Sequence, residues 1–141
     1  MTALSETRAK PLGAYPFAKR VGDFIFVSGT TARQPDGRIA GVDTASDGSV
    51  QRNVATQTRA VLKTIEATLE AYGTSLQDCA DMVVFLIDIA DFDAYNAAYS
   101  EFFDHNGPTR TTVAVRALPH PDMVIEMKAV AFKPQAKGDR P

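Results

Sequence analysis

Arg110 and Glu126 are the residues whose types and placement best fit chemistry. An arginine presents a planar fork of donors that matches a carboxylate. A glutamate in apolar surroundings can hold a proton, pass it on and orient water. Both fall in runs of strand character, RTTVAV (110–115) and MVIEMKAVAF (123–132). Strand alternation groups Glu126 with Val124, Lys128, Val130 and Phe132, and Arg110 with Thr112, Ala114 and Arg116. A carboxylate on so apolar a face is costly unless it is paired or hydrogen-bonded. If the two strands are antiparallel neighbours, Arg110 approaches Glu126, in a register the sequence leaves open. Two readings follow: Arg110 binds a substrate carboxylate while Glu126 manages protons and water, or the two form an ion pair across strands.

Other candidates carry less. Cys79 is the single cysteine, so no intrachain disulfide can form. It precedes an apolar run and reads as a buried, inert thiol. His105 reads as a helix-end cation. His120, in Pro119-His120-Pro121, is either a solvent-facing turn residue or a polar group behind a site. With Cys79 the two histidines lack any zinc-type spacing, so no metal is expected. Ser28-Gly29-Thr30 lacks the preceding glycine of a nucleophile elbow. No glycine pattern matches a phosphate-binding loop. Gly29 allows a close backbone approach that can expose amide donors to a ligand. Tyr95, Tyr99, Phe102 and Phe103 recur at helical spacing and read as core or subunit contact. Asn96 beside them is an exposed helix residue or a hydrogen-bond partner in a site.

These groups must be held by one domain. The chain has 141 residues, 45% hydrophobic and 23% charged, with a net charge of −2, an ordinary globular balance. That charge gives no general attraction to nucleic acid. Arg8 with Lys10, and Lys133 with Lys137 and Arg140, read as solvated tails. The N-terminus lacks the apolar stretch of a signal peptide and no run reaches the ~20 residues of a membrane span, so a cytoplasmic protein is expected. Residues 1–10 read as a flexible segment, 11–133 as the domain and 134–141 as a tail.

Asp23 to Ser28 reads as a strand and Arg38 to Val42 as a second, either side of the Pro35-Asp36-Gly37 turn. The stretch 43–49 reads as a loop. Asn53 caps a helix running to Tyr72, with Val54, Val61, Leu62, Ile65 and Leu69 on one stripe and Gly73 as its stop. Ala80 to Ile89 reads as a central strand. Asp91 caps a second helix, Phe92 to Asp104, broken at Asn106-Gly107-Pro108. With the strands at 110–115 and 123–132 the order is β-β-α-β-α-β-β, an α+β fold of one sheet with two helices on one face.

The stretches GAYPFAKRVGDFIFVSG (13–29), DFDAYNAAYSEFF (91–103) and RTTVAVRALPHPDMVIEMKAVAF (110–132) resemble the RidA/YjgF family in order and spacing. The resemblance implies a chorismate-mutase-like fold and a homotrimer with a barrel-like core and inter-subunit clefts. It implies a cofactor-free, metal-free hydrolysis of 2-enamine or 2-imine acids. On it, Arg110 matches the carboxylate-binding arginine and Glu126 the glutamate that positions or activates water. Tyr15 matches the tyrosine of a GPY motif in which Ala14 replaces proline. Asn96 matches a second-helix asparagine, and Ser28 and Gly29 the strand-end backbone near the site.

Thr112 stands where general members carry the cysteine of Arg-x-Cys. The phrases GPTRTTVAV (107–115) and LPHP (118–121) instead resemble the 2-aminomuconate deaminase branch. That branch implies conversion of 2-aminomuconate to 2-oxo-hex-3-enedioate and ammonia in aromatic catabolism. Thr112 and His120 thereby join the expected substrate-binding set. The far carboxylate of a muconate requires a second cation or donor, for which Arg116, Arg20, Lys128 and His120 are candidates. Alternatives are a broad 2-imino acid deaminase and a non-catalytic trimer that binds a small carboxylate. The expected partners are a small carboxylate substrate and further copies of the chain, with neither nucleic acid nor membrane.

Overall fold

The computed structural model describes residues 8–136. Its seven strands are β1 (Ala18–Val21), β2 (Phe24–Thr30), β3 (Val42–Thr44), β4 (Val50–Arg52), β5 (Cys79–Leu86), β6 (Thr109–Ala114) and β7 (Ile125–Phe132). Among the described residues the α-helices are α1 (Val54–Ala71) and α2 (Phe92–Tyr99). Five strands form one sheet in the order β1-β2-β7-β5-β6. Every pair in it is antiparallel except β5 with β6. Both helices contribute to the core on one face, giving the expected α+β layering.

The core follows from strand alternation. Ile125, Met127, Ala129 and Ala131 of β7 are fully buried, as are Met82, Val84 and Leu86 of β5 and Ile25 and Val27 of β2. They meet Val61, Leu62, Ile65 and Leu69 of α1. The alternate residues point away from the helices. Phe24, Phe26, Val113 and Phe132 lie there between 41% and 45% exposed, an apolar stripe on the uncovered face.

Helix α1 begins and ends as expected. The Asn53 side chain accepts from the Thr56 amide, and Gly73 takes φ +76 just beyond the end, a left-handed conformation suited to glycine. Within α1, Gln57 is fully buried. Its Nε2 donates to the Asp122 carbonyl at 2.8 Å and its Oε1 accepts from the Val124 amide at 3.0 Å. One carboxamide thus ties the entry of β7 to the helix.

Four elements differ from expectation. Strand β1 went unforeseen because only Ala18 of its four residues is buried; it is an edge strand carrying Lys19 and Arg20. The two-residue Gly22-Asp23 turn joins it to β2, with Gly22 at φ +60. The expected strand at 38–42 is absent. Ile39 makes an isolated bridge to Arg33, and β3 pairs with β4 in a separate hairpin, because Gly41 at φ +72 interrupts the run. Asp91 makes no capping bond; Asp88 caps the short turn before α2 by accepting from the Ala90 amide. Helix α2 ends at Tyr99 and continues to Phe103 only as turns.

Arg8 is the other departure. Its guanidinium lies 4.4 Å above the Phe17 ring and donates to Thr68 Oγ1 at 2.9 Å. Ala9 is buried and Lys10 exposed. An arginine can cover apolar surface with its stem while its head finds a donor–acceptor contact. The remaining part of the 1–10 segment, and Lys137 and Arg140, lie outside the described residues.

Candidate functional site

Arg110 and Glu126 do not meet within the chain. Strand β5 stands between β6 and β7, so the expected direct pairing of their strands is not formed. Arg110 is level with Met82, and Met82 with Ala129, whereas Glu126 is level with Phe85. That separates them by three residues along the sheet, about 10 Å, and two strand spacings, about 10 Å more across. They also face opposite ways. Arg110 shares the helix face with Met82, and Glu126 shares the open face with Phe85. An intrachain ion pair between them is excluded.

The Arg110 half is built by α2. Phe92, Tyr95, Asn96 and Tyr99 recur at helical spacing, so one helix face presents three rings and an amide together. The guanidinium carbon lies 5.8, 5.2 and 4.7 Å from the Phe92, Tyr95 and Tyr99 ring centres. Arg110 Nη1 donates to Asn96 Oδ1 at 2.8 Å. Thr112 Oγ1 hydrogen-bonds the Tyr95 hydroxyl on the same face. The Tyr99 hydroxyl is buried without a partner among the described residues, and burial pushes its pKa up to about 12. No carboxylate pairs with Arg110 among the described residues. A cation held by ring faces and one neutral amide keeps donors for a ligand.

The Glu126 half is built by a bulge. Val27 pairs with Ala129 and Thr30 with Met127, so β2 carries an extra residue at Ser28–Gly29, the local kink of a β-bulge. It brings Gly29 against the carboxylate: a Cβ there would lie 2.5 Å from Glu126 Oε2. A larger residue there would push the carboxylate from this position. Ser28 Oγ donates to the Pro16 carbonyl at 2.7 Å, holding the segment that carries Tyr15. Tyr15 lines the Glu126 cleft together with Arg8, Arg33, Gly29, Pro119 and Met123. Glu126 is half-buried, and desolvation raises its carboxyl pKa above the ordinary glutamate value.

The sequence-predicted residues therefore divide. Asn96 and Thr112 gather with Arg110; Tyr15, Ser28 and Gly29 gather with Glu126. A profile of the family described as "Endoribonuclease L-PSP" matches residues 5–133. A RutC family protein of Pyrococcus abyssi is 39% identical over 130 residues, which is 92% of this chain and 94% of that protein. The 3-aminoacrylate deaminase RutC of Acinetobacter baylyi is 36% identical over 128 residues, 91% of this chain and 94% of its own. The crystal structure of the YjgF gene product of Escherichia coli superposes with a TM-score of 0.73 at 33% identity, covering 90% of this chain and 94% of that one. The chain belongs to the RidA/YjgF superfamily.

In this RidA/YjgF chain His120 joins neither half. Its Nδ1 accepts from the Asp122 amide at 3.0 Å, and it lies in a separate cleft with Arg38, Ile39 and Val42. Asp122 is itself paired with Arg52 at 2.8 Å. Arg20 donates to the Lys133 carbonyl at 3.0 Å by the sheet edge. Arg20, Lys128, Arg116 and His120 are all absent from the lining of the Glu126 cleft. Sequence reasoning missed the two arginines that do line it, Arg8 and Arg33. Its reading of Tyr95, Tyr99, Phe102 and Phe103 as core or contact holds, since Tyr95, Tyr99 and Phe103 lie in the core with Phe102 packed against it. What it missed is that the Tyr95 and Tyr99 rings also face Arg110, a signal carried by the i, i+3, i+4, i+7 placement of Phe92, Tyr95, Asn96 and Tyr99. Cys79 is buried, its pKa raised to about 12 by burial, which suits an inert thiol. No group of three potential metal-ligating side chains occurs among the described residues, and none of their helices is long and apolar enough to cross a membrane.

Proposed function

We propose that this protein is a hydrolytic deaminase of enamine or imine acids, with Arg110 and Glu126 completing each site from two neighbouring copies of the chain. The observation that carries this reading is that neither group has an ion-pair partner among the described residues and that they lie on opposite faces of one sheet. Each is arranged for something the single chain does not supply. The apolar stripe of Phe24, Phe26, Val113 and Phe132 supports a homotrimer in which the open faces are buried against one another.

Arg110 holds the substrate carboxylate through its remaining donors. That sets the adjacent imine carbon before the neighbouring Glu126. The enamine takes a proton at carbon to give the iminium, the same species an imine reaches by taking a proton at nitrogen. Glu126, ionised, removes a proton from water as the oxygen adds to the imine carbon, and the imine nitrogen becomes an amine. The carbinolamine then loses ammonia: nitrogen takes the proton back from Glu126, the C–N bond breaks, and the hydroxyl becomes the ketone as it releases to solvent a proton equal to the one taken up in forming the iminium. The raised pKa of Glu126 suits a group that must both take and return a proton.

Among such acids we favour 2-aminomuconate, converted with one water to 2-oxo-hex-3-enedioate and ammonia in aromatic catabolism. Thr112 beside Arg110 and the 107–115 and 118–121 phrases support it. A second reading, a broad deaminase of 2-imino monocarboxylates and related enamines, is favoured by the 3-aminoacrylate deaminase among the relatives. The test is ammonia release from 2-aminomuconate, generated in situ, by wild type and Arg110→Ala. Rapid release that the variant loses is expected. No release from 2-aminomuconate, with turnover of a 2-imino monocarboxylate, would select the second reading; no release from either would sink both.

A further inference from the structure

Arg8 and Arg33 reach the Glu126 cleft from different parts of the chain, one preceding β1 and the other following β2. Neither forms an ion pair among the described residues. Arg8 uses one N–H on Thr68, while its buried Nε has no partner among the described residues. Arg33 donates from Nη2 to the Lys10 carbonyl, which pins the 8–12 segment across the cleft. Burial, with Arg33 nearby, draws the Arg8 pKa down to about 10. It therefore remains a cation at neutral pH, held partly out of water beside another.

Two guanidiniums kept close, with no carboxylate paired to either among the described residues, repel each other and lose hydration. Neutralising Glu126 does not explain them. Neither hydrogen-bonds it, and its carboxyl is raised by desolvation with no cation drawing it down. What they lack is an anion from outside the chain. We propose that Arg8 and Arg33 form a second carboxylate subsite, which selects dicarboxylate substrates by binding the group farthest from the imine carbon. The inference rests on the imine-acid reading of this cleft. It replaces Arg116, Arg20, Lys128 and His120 as holders of the distal carboxylate. Arg33 supplies donors from the cleft wall, and Arg8 supplies the guanidinium N–H groups that Thr68 does not use.

The test is binding, so it does not depend on turnover. cis,cis-Muconate and hexa-2,4-dienoate have the same chain length and differ in the second carboxylate. Calorimetric titration should give wild type a preference for muconate of about tenfold or more. Arg33→Met should bring that preference close to one while leaving hexa-2,4-dienoate binding within about twofold. Arg33 is partly exposed, so the variant is expected to keep the wild-type melting temperature. Arg8→Gln should act in the same direction. No preference in wild type, a preference kept in both variants, or equal weakening of both ligands would overturn the subsite. Preference intact with no ammonia released from any imine would sink the deaminase and leave the subsite. Preference absent with imine turnover intact would do the reverse.

Discussion

The two halves of the proposed site are built in opposite ways. Around Arg110, three rings and an amide hold the cation in place before any ligand arrives. Around Glu126 there is a glycine, a bulge and a carboxylate made less acidic by burial. A preformed cation fixes geometry, so damage to it should appear as weaker substrate binding. A desolvated carboxylate is poised to exchange protons, so damage to it should appear in turnover.

The sharpest way to break this contrast is complementation. Glu126→Gln and Arg110→Ala should each lose about 10²–10⁴-fold in kcat/KM. Co-expressed, the two inactive chains should regain about a quarter of wild-type activity if they assemble into the proposed trimer, because that share of random neighbour pairs joins an intact Arg110 to an intact Glu126. No recovery in purified mixed oligomers would sink the two-chain site.

Gly29→Ala puts a methyl where the carboxylate lies. It should cost about 10²-fold in kcat with KM little changed, as expected for a displaced catalytic group. Equal rates for variant and wild type would show that Glu126 works elsewhere. On the other half, Tyr99→Leu should raise KM about fivefold through loss of a cation–π contact, with kcat nearly kept. Tyr99→Phe keeps the ring and removes a buried, unpartnered hydroxyl, so steady-state kinetics should be unchanged and unfolding in urea later by about 1 kcal/mol.

The smallest effect concerns pH. The folded carboxyl of Glu126 is raised relative to the unfolded chain. The protonated form is therefore favoured by folding, and that contribution is lost as pH rises through the folded pKa. Glu126→Gln should melt slightly higher than wild type at neutral pH, the gap closing below the ordinary glutamate pKa. The acid limb of kcat/KM for wild type should fall with a midpoint above that value. A midpoint at or below it would remove Glu126 as the titrating base.

What the sequence revealed follows from where physics is local. Helix α1 was legible from Asn53 to Gly73 because its cap, stripe and stop all lie within its own residues. The strand faces of Arg110 and Glu126 were legible because alternation is local too. Their relation was not. It depends on β5, some thirty residues upstream of β6, entering between the two strands and pairing with one in parallel and the other antiparallel. Edge strand β1 escaped because Lys19 and Arg20 mask a half-buried strand, although Gly22-Asp23 is a two-residue hairpin signal. Arg8 escaped because a charged residue near a terminus reads as solvated until its ring and hydroxyl neighbours are known.

The aromatic content gives the molecule its own optical reporter. The chain has no tryptophan and four tyrosines, so its ultraviolet emission comes from tyrosine alone. Tyr95 and Tyr99 stack against Arg110, and Tyr15 lines the Glu126 cleft; only Tyr72, bonded to the Ala18 carbonyl, lies apart. Three of the four emitters therefore sit where a ligand would arrive, and occupancy can be followed in unlabelled protein by the intensity of its tyrosine fluorescence.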